Sequence, residues 1–177
     1  FPVYKVEHDC ILSKQGDVSL AFEAALPELF TLSDQDYEAF HQILIKAIRV
    51  LPKNSVFHKQ DWFFAQKHKA DFENTDLSFL TRSSERFFNE RPYLDHRCYI
   101  ILTQKPADRK LSSSMFSNLI RSSVVPSEAI NPQRMQEFLD SAGQFERILG
   151  DSGFVKLKRI NNDALVGSAQ QAGLLER

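Results

Sequence analysis

Two histidine–cysteine pairs have the residue types of a metal site. His8 and Cys10 are separated by one residue, as are His96 and Cys98. Residues two apart in a β-strand share a face, and if the two strands were neighbours the four side chains would offer a Cys2His2 zinc set. Against this, Cys10 shares its face with Val6 and Leu12, as core cysteines do. Cys98 likewise shares its face with Ile100 and Leu102, and zinc motifs space their cysteines more widely. We therefore assign no metal ligands.

Cys98 also suggests a catalytic thiol. The positive charge of the preceding His96 and Arg97 would stabilise a thiolate. Adjacent strand residues point to opposite faces, however, so Arg97 and Cys98 are not expected to meet. We assign no catalytic residue. The alternative that the chain is a stand-alone enzyme using Cys98 or the His/Cys set stays open. This alternative predicts a fast-reacting thiol or bound zinc.

The remaining polar clusters are explained by local structure. His58, Asp61 and His68 have ligand types but no recognised metal spacing. Acids at a helix start favour the helix dipole, and alternating charges at helical spacing indicate a solvated, ion-paired face. The first group is Asp34, Asp36 and Glu38, and the second is Glu85, Arg86, Glu90 and Arg91.

No nucleotide-binding motif is present in the chain. There is no G-x-x-x-x-G-K-[ST], no G-x-G-x-x-G and no G-x-S-x-G. The nearest glycine-rich piece, Gly150 to Gly153, is more typical of a helix end than of a phosphate cradle. We therefore assign no cofactor-binding residue and expect no nucleotide hydrolysis by this segment alone.

Charge is uneven along the chain although the net charge is only −1. Residues 1–40 contain two basic and eight acidic side chains, while residues 41–177 contain twenty and fifteen. This split would orient the domain against a charged neighbour, or it reflects solvated faces that differ. Two cysteines are too few for a disulfide framework, which favours a reduced, cytosolic setting. No apolar run is long enough to span a bilayer.

Hydrophobic periodicity predicts an α+β fold of the order ββαβαβ(α)αβα, with helices packed on one face of a largely antiparallel sheet. The length suits one domain, with or without a small satellite lobe, and we predict one domain over 1–177 with an irregular insertion at 104–130. The predicted strands are Tyr4–Leu12, Asp17–Leu26, Ser55–Phe64 with an extension to Gln66, Leu94–Thr103 and Phe154–Ile160. In the second strand Val18, Leu20 and Phe22 alternate with polar or small residues, which predicts burial of one face.

Helix signals are clearest at three places. Ser33 is an N-cap for a helix that Pro52 stops, and Asn131-Pro132 opens a helix that ends at Gly150 and Gly153. A one-sided helix is predicted over Asp76–Asn89. Two weaker helices are predicted, one around Met115–Ile120 and one capped by Asn161 that contains Gly167 and Gly173.

Five stretches of the chain resemble one family. They are FPVYKVEHDCILSKQGDVSLAFE (1–23), LFTLSDQDYEAFHQ (29–42), LPKNSVFHKQDWFF (51–64), RSSERFFNERPYLDHRCYIILT (82–103) and FLDSAGQFERIL (138–149). Together they resemble the N-terminal region of the TraG conjugation ATPases of Bacteroides-type conjugative transposons, a branch of the VirB-type ATPases of type IV secretion.

The resemblance implies a parent protein whose RecA-like motor domain, with its Walker motifs, ATP and Mg²⁺, lies outside this sequence. The missing initiator methionine agrees with an excised fragment. The resemblance implies a cytoplasmic, non-catalytic domain, peripheral at the inner membrane, that docks the motor to inner-membrane channel proteins and aids its oligomeric assembly. No motif residue of the motor can be assigned here.

A different class of function also fits part of the sequence. Trp62, Phe63 and Phe64 interleave with Lys59 and Lys67, as in sheets that bind single-stranded nucleic acid. A net charge of −1 is a poor electrostatic footprint for such binding. Direct nucleic-acid binding is therefore the alternative rather than the favoured function.

Overall fold

A computed structural model describes residues 3–68, 78–106, 132–168 and 170–176 of the chain. The strands are β1 (Val3–Glu7), β2 (Cys10–Ser13), β3 (Val18–Ala25), β4 (Ser55–Lys67), β5 (Pro92–Gln104), β6 (Lys156–Arg159), β7 (Gly167–Ser168) and β8 (Gln171–Ala172). The helices are α1 (Asp34–Arg49), α2 (Phe79–Glu90), α3 (Pro132–Asp151) and α4 (Asn162–Val166), with a short 3-10 helix at Leu29–Thr31. The predicted helix at Met115–Ile120, most of the predicted insertion and the Asn131 cap lie outside the described residues.

The fold is α+β, as predicted. The main sheet has the order β1-β2-β3-β5-β4, with β6 also pairing with β3. The pairs β1–β2, β2–β3 and β3–β6 are antiparallel. Two compact units can be distinguished, a main unit of Phe1–Gln60 with Tyr99–Arg177 and a smaller one of Asp61–Cys98, which we call the hairpin lobe.

The first predicted strand is in fact a hairpin. Glu7 pairs with Cys10, so His8 and Asp9 alone form the connection between β1 and β2. Both have positive φ, 53° and 58°, which is the backbone of a type I′ turn and matches the twist of the flanking strands. The prediction of one strand over Tyr4–Leu12 was wrong because His-Asp lacks the glycine that usually marks such a turn.

β3 is buried on both faces, which corrects the prediction that one face is exposed. Ser19 and Ala21 are as inaccessible as Leu20 and Phe22. β3 has β2 and β6 on one side and β5 on the other, so it is the central strand of the main unit. Its second face is buried at low cost because its residues are small and because Ser19 Oγ lies 2.8 Å from Thr103 Oγ1 in a hydrogen bond.

α1 and α3 pack against each other in the main unit. α1 begins at a complete capping box, in which Ser33 Oγ accepts from the Asp36 amide and Asp36 Oδ2 accepts from the Ser33 amide. Pro132 is the first residue of α3, as predicted. α3 buries Phe138, Ala142, Phe145 and Leu149, and the Phe145 ring contacts Phe57 of β4 at 6.0 Å between centroids.

Asn161 caps α4, as predicted, by accepting from the Ala164 amide. The helix is shorter than predicted and does not contain the two glycines. Gly167 ends it with φ +88° and begins the small β7–β8 hairpin, where a Cβ on Gly167 would overlap the backbone nitrogen of Gly173. Such close backbone approach requires glycine, so these residues serve a turn rather than a helix.

Candidate interaction surface

The hairpin lobe has little interior of its own. Among its described residues only Cys98 is buried, and α2 contains no buried residue. Half of the exposed large apolar side chains in the described part of the chain lie in this small unit. They are Phe63, Phe79, Leu80, Phe87, Phe88, Tyr93 and Leu94. Clusters of exposed apolar side chains commonly mark interaction sites.

One exposed surface of the lobe is formed by β4 and β5. The Phe63 ring stacks on the His96 imidazole, with 4.7 Å between centroids and 17° between planes. His96 Nε2 donates to Asp61 Oδ1 at 2.8 Å, which fixes the imidazole orientation. Leu94 is two residues from His96 and therefore shares its face of the strand. We call Asp61, Phe63, Leu94 and His96 the strand face.

The second exposed surface lies on α2. Phe79 and Leu80 are 83% and 75% exposed, and Phe87 lies under the Arg91 guanidinium at 3.9 Å. Leu80 and Phe87 are seven residues apart, so they have nearly the same bearing on the helix. We call Phe79, Leu80 and Phe87 the helix ridge.

α2 contacts the lobe through a different side. His68 Nε2 donates to Glu85 Oε2 at 2.8 Å, and the His68 ring meets the Phe88 ring edge-on at 6.4 Å. Around the helix, Glu85 lies about 140–160° and Phe88 about 80–100° from Leu80 and Phe87. The sequence predicts the apolar stripe of α2 correctly, but the structure leaves that stripe uncovered by the described residues.

All four acids described in the lobe have an internal partner. Asp61 and Glu85 accept from His96 and His68. The other two carboxylates, those of Glu90 and Asp95, accept from Arg86 and Gln66. The hydrogen bond and charge of Glu90 raise the pKa of Arg86 further. Within the described part of the lobe, the acids are therefore engaged internally, and arginine charge is left for an external partner.

The four residues of the zinc hypothesis are not assembled into one set. His8 lies in the β1–β2 turn rather than on a strand, and β3 separates β2 from β5 in the sheet order. His96 is engaged with Asp61 and Phe63. In the described ranges of the chain, no three His, Cys, Asp or Glu residues come together in a group that could hold a metal ion.

The two cysteines are buried. Burial raises the pKa of the Cys10 thiol, and the nearby Arg159 guanidinium, with Nη2 at 3.8 Å from Sγ, opposes this only in part. The Arg97 guanidinium is directed at the Phe64 ring, 5.2 Å away, as strand alternation predicted. Neither thiol therefore has the exposed, electropositive surroundings of a reactive cysteine.

The acidic N-terminal region is largely occupied by its own hydrogen bonds. Five of its eight acids have a hydrogen-bond or ion-pair partner, either nearby in the sequence or, for Asp9, far along the same chain. They are Glu7, Asp9, Asp17, Asp36 and Glu38. Asp9 and Asn162 exchange two hydrogen bonds of 2.8 Å that join the β1–β2 turn to the start of α4. These acids thus make hydrogen bonds or ion pairs within the main unit, and they leave less unpaired negative charge than the sequence suggested.

Sequence reasoning missed the strand face. It considered Asp61 as a residue of metal-ligand type without a recognised spacing, and it grouped Phe63 with Trp62 and Phe64. In the structure Trp62 and Phe64 are half-buried, whereas Phe63 is 65% exposed. The signal available in the sequence was the alternation of Asp61 and Phe63 with Trp62 and Phe64, which assigns the pairs to opposite faces.

A family model described as "Domain of unknown function, B. Theta Gene description (DUF3875)" matches residues 1–42. That description is consistent with a Bacteroides origin. The match covers β1 to the first half of α1 and does not extend to the hairpin lobe. No curated protein matches the chain. No helix within the described residues is long and apolar enough to cross a membrane.

Proposed function

We propose that the chain is a non-catalytic docking and assembly domain of a TraG-type conjugation ATPase, which joins the motor to inner-membrane channel subunits of a type IV secretion system. The observation that carries this proposal is the strand face of the hairpin lobe. It presents an exposed aromatic stack and Leu94 in a unit whose described residues include only one that is buried. The resemblance over five stretches of the chain supports the assignment to this machinery, and the B. Theta family match is consistent with a Bacteroides origin.

The composition of the strand face suits protein recognition. Aromatic residues and arginine are enriched at the centres of protein interfaces, where rigid rings fill pockets at low entropic cost. Asp61 holds His96 against Phe63, so the face is organised before any partner binds. A preorganised face loses less conformational entropy on binding than a mobile one does.

The motor's chemistry belongs to the rest of the proposed parent protein. ATP and Mg²⁺ would bind its P-loop, and this chain would hydrolyse no nucleotide alone. We place the parent in the cytoplasm at the inner membrane, with self-association through its oligomer. Two measurements test this part: the downstream sequence of the gene should encode a P-loop and a Walker-B acid, and the purified chain should release no phosphate from ATP with Mg²⁺.

Co-purification with the channel proteins encoded beside the gene tests the docking proposal. Wild-type chain should retain an inner-membrane subunit, and Leu94→Glu should lose most of it because a carboxylate would be buried at the contact. Leu80→Glu is the matched control, since Leu80 and Leu94 are 75% and 70% exposed and lie on different surfaces. Unchanged retention by Leu94→Glu, or conjugation at normal frequency after deletion of the domain, would overturn the proposal.

Single-stranded DNA binding is retained as a second candidate because Phe63 offers an exposed ring on which a base could stack. The same face carries exposed Lys67, while Lys59 is exposed in the main unit. The candidate predicts binding at low salt that Phe63→Ala weakens and that Lys59→Ala with Lys67→Ala abolishes. A wild-type chain that shows no binding at low salt excludes it.

A further inference from the structure

The helix ridge of α2 is not used by the docking proposal. Its Phe79 and Leu80 side chains are more exposed than any residue of the strand face. α2 is held to the lobe by Glu85 and Phe88 through His68, while Leu80 and Phe87 share a bearing of their own. The Phe87 ring packs edge-on against the Phe88 ring, with 5.3 Å between centroids, so the exposed apolar side chains of α2 include a cluster of the kind that commonly marks an interaction site.

The charges near the ridge indicate the chemistry of that partner. Glu85 is paired with His68, and Glu90 is paired with Arg86 at 2.8 Å. Arg91 lies over the Phe87 ring, and the Arg82 side chain has no hydrogen-bond or ion-pair partner among the described residues, while its amide donates to the Ser78 carbonyl. Among the described residues, the charge left beside the apolar side chains is therefore positive, which complements an anionic surface.

We propose that α2 binds the surface of an anionic lipid bilayer through the helix ridge. Leu80, Phe79 and Phe87 would enter the boundary between headgroups and acyl chains, and the arginines would meet lipid phosphates. Acyl chains deform around protruding side chains, so these three residues need no preformed pocket in a partner. The 12-residue helix lies along the surface and does not cross it.

This attachment is reversible and depends on salt. A short helix with a few inserted side chains gives weak membrane affinity, and each arginine near an anionic surface adds a screened electrostatic increment. The lipid contact would complement a protein contact made by the strand face. The two proposals rest on different side chains, so either one can fail without the other.

Vesicle flotation of the full 177-residue chain tests the proposal. The chain should float with phosphatidylcholine vesicles that contain phosphatidylglycerol and should stay behind with pure phosphatidylcholine. Leu80→Glu should reduce the affinity at least about tenfold, because it replaces an inserted side chain with a charge. Leu94→Glu is the matched control and should float like the wild type. Circular dichroism checks that both variants keep the native fold.

Arg82→Ala and added salt test the electrostatic part. Both should weaken binding to phosphatidylglycerol vesicles, by about two- to fivefold for the single arginine. The proposal is overturned if the wild-type chain does not float, or if Leu80→Glu floats as well as the wild type. It is also overturned if Leu80→Glu loses only a protein partner in co-purification, since the ridge would then fit a protein groove.

Discussion

The main unit and the hairpin lobe use similar residues in opposite ways. In the main unit Phe22, Phe138 and Phe145 are fully buried. In the lobe Phe63, Phe79 and Phe88 are mostly exposed, although α2 has as regular an apolar stripe as α3. A stripe on a helix therefore shows that a partner is needed, and the packing shows whether the chain itself supplies that partner.

The polar residues show the same contrast. In the main unit the hydrogen bonds of Ser13, Asp17, Ser19 and Thr103 are buried with the core. In the lobe the links Asp61–His96 and His68–Glu85 join partly exposed side chains. Partly exposed ion pairs contribute little to stability, so these links add little to the pairing of β4 with β5. The polar contacts thus differ between the two units in the same way as the aromatic ones.

Amide hydrogen exchange should show the largest difference between the two units. We expect the central amides of α3 to exchange with the global stability of the main unit, and those of α2 to exchange roughly a thousandfold faster because α2 buries no residue. Exchange measured by mass spectrometry over peptides of each helix checks this. Equal protection of the two helices would contradict the contrast between the units.

One phenylalanine in each of two helices allows a comparison of how much a buried and an exposed ring contribute to the free energy of unfolding. Phe138 of α3 is fully buried and Phe79 of α2 is 83% exposed. Phe138→Ala should lower the free energy of unfolding by about 3–5 kcal/mol through lost burial and a cavity. Phe79→Ala should change it by about 0.5 kcal/mol or less. Urea denaturation measures both, and a large loss in Phe79→Ala would show that α2 has a covered face.

Replacing two serines by alanine compares a buried hydrogen bond in the main unit with an exposed hydroxyl in the lobe. Ser19→Ala leaves the buried Thr103 hydroxyl without its 2.8 Å partner and should cost about 1–3 kcal/mol. Ser83→Ala, on the exposed surface of α2, should be neutral or slightly stabilising, since alanine favours a helix. The same denaturation experiment applies. A neutral Ser19→Ala would mean that β3 does not depend on this hydrogen bond.

The smallest expected effect is a pH dependence at the start of α1. The Ser33 hydroxyl and amide lower the pKa of Asp36 below its ordinary value of 3.8. The capping box therefore stabilises the fold above pH 3.8, and this contribution is lost as the pH falls through the lowered pKa. Asp36→Asn should remove that part of the acid dependence, seen in thermal melts. An identical acid profile in Asp36→Asn would contradict it.

Much of the fold could be predicted because its signals are local. Ser33 with Asp36 marks the start of α1, Pro132 the start of α3, and Asn161 the start of α4. The β1–β2 turn could not be predicted in the same way, since His8 and Asp9 adopt positive φ without a glycine. Only the pairing of Glu7 with Cys10 shows that turn.

The candidate surface was harder to predict because exposure depends on distant parts of the chain. Strand alternation separated Arg97 from Cys98 correctly. It did not show that Ser19 and Ala21 would be buried, since this requires neighbours on both sides of β3. Nor did the apolar residues of α2 reveal that the described chain leaves them exposed.

The sequence by itself determined the element types, the helix caps and the α+β class, because these depend on interactions among residues close together in the chain. Only the tertiary structure decided which apolar faces are covered. β3 gained neighbours on both sides and became core, whereas α2 gained none that bury it and became a surface. The physical reason is that burial depends on contacts between distant segments. A local apolar pattern indicates a face that is suited to burial, but it does not determine which segment covers that face.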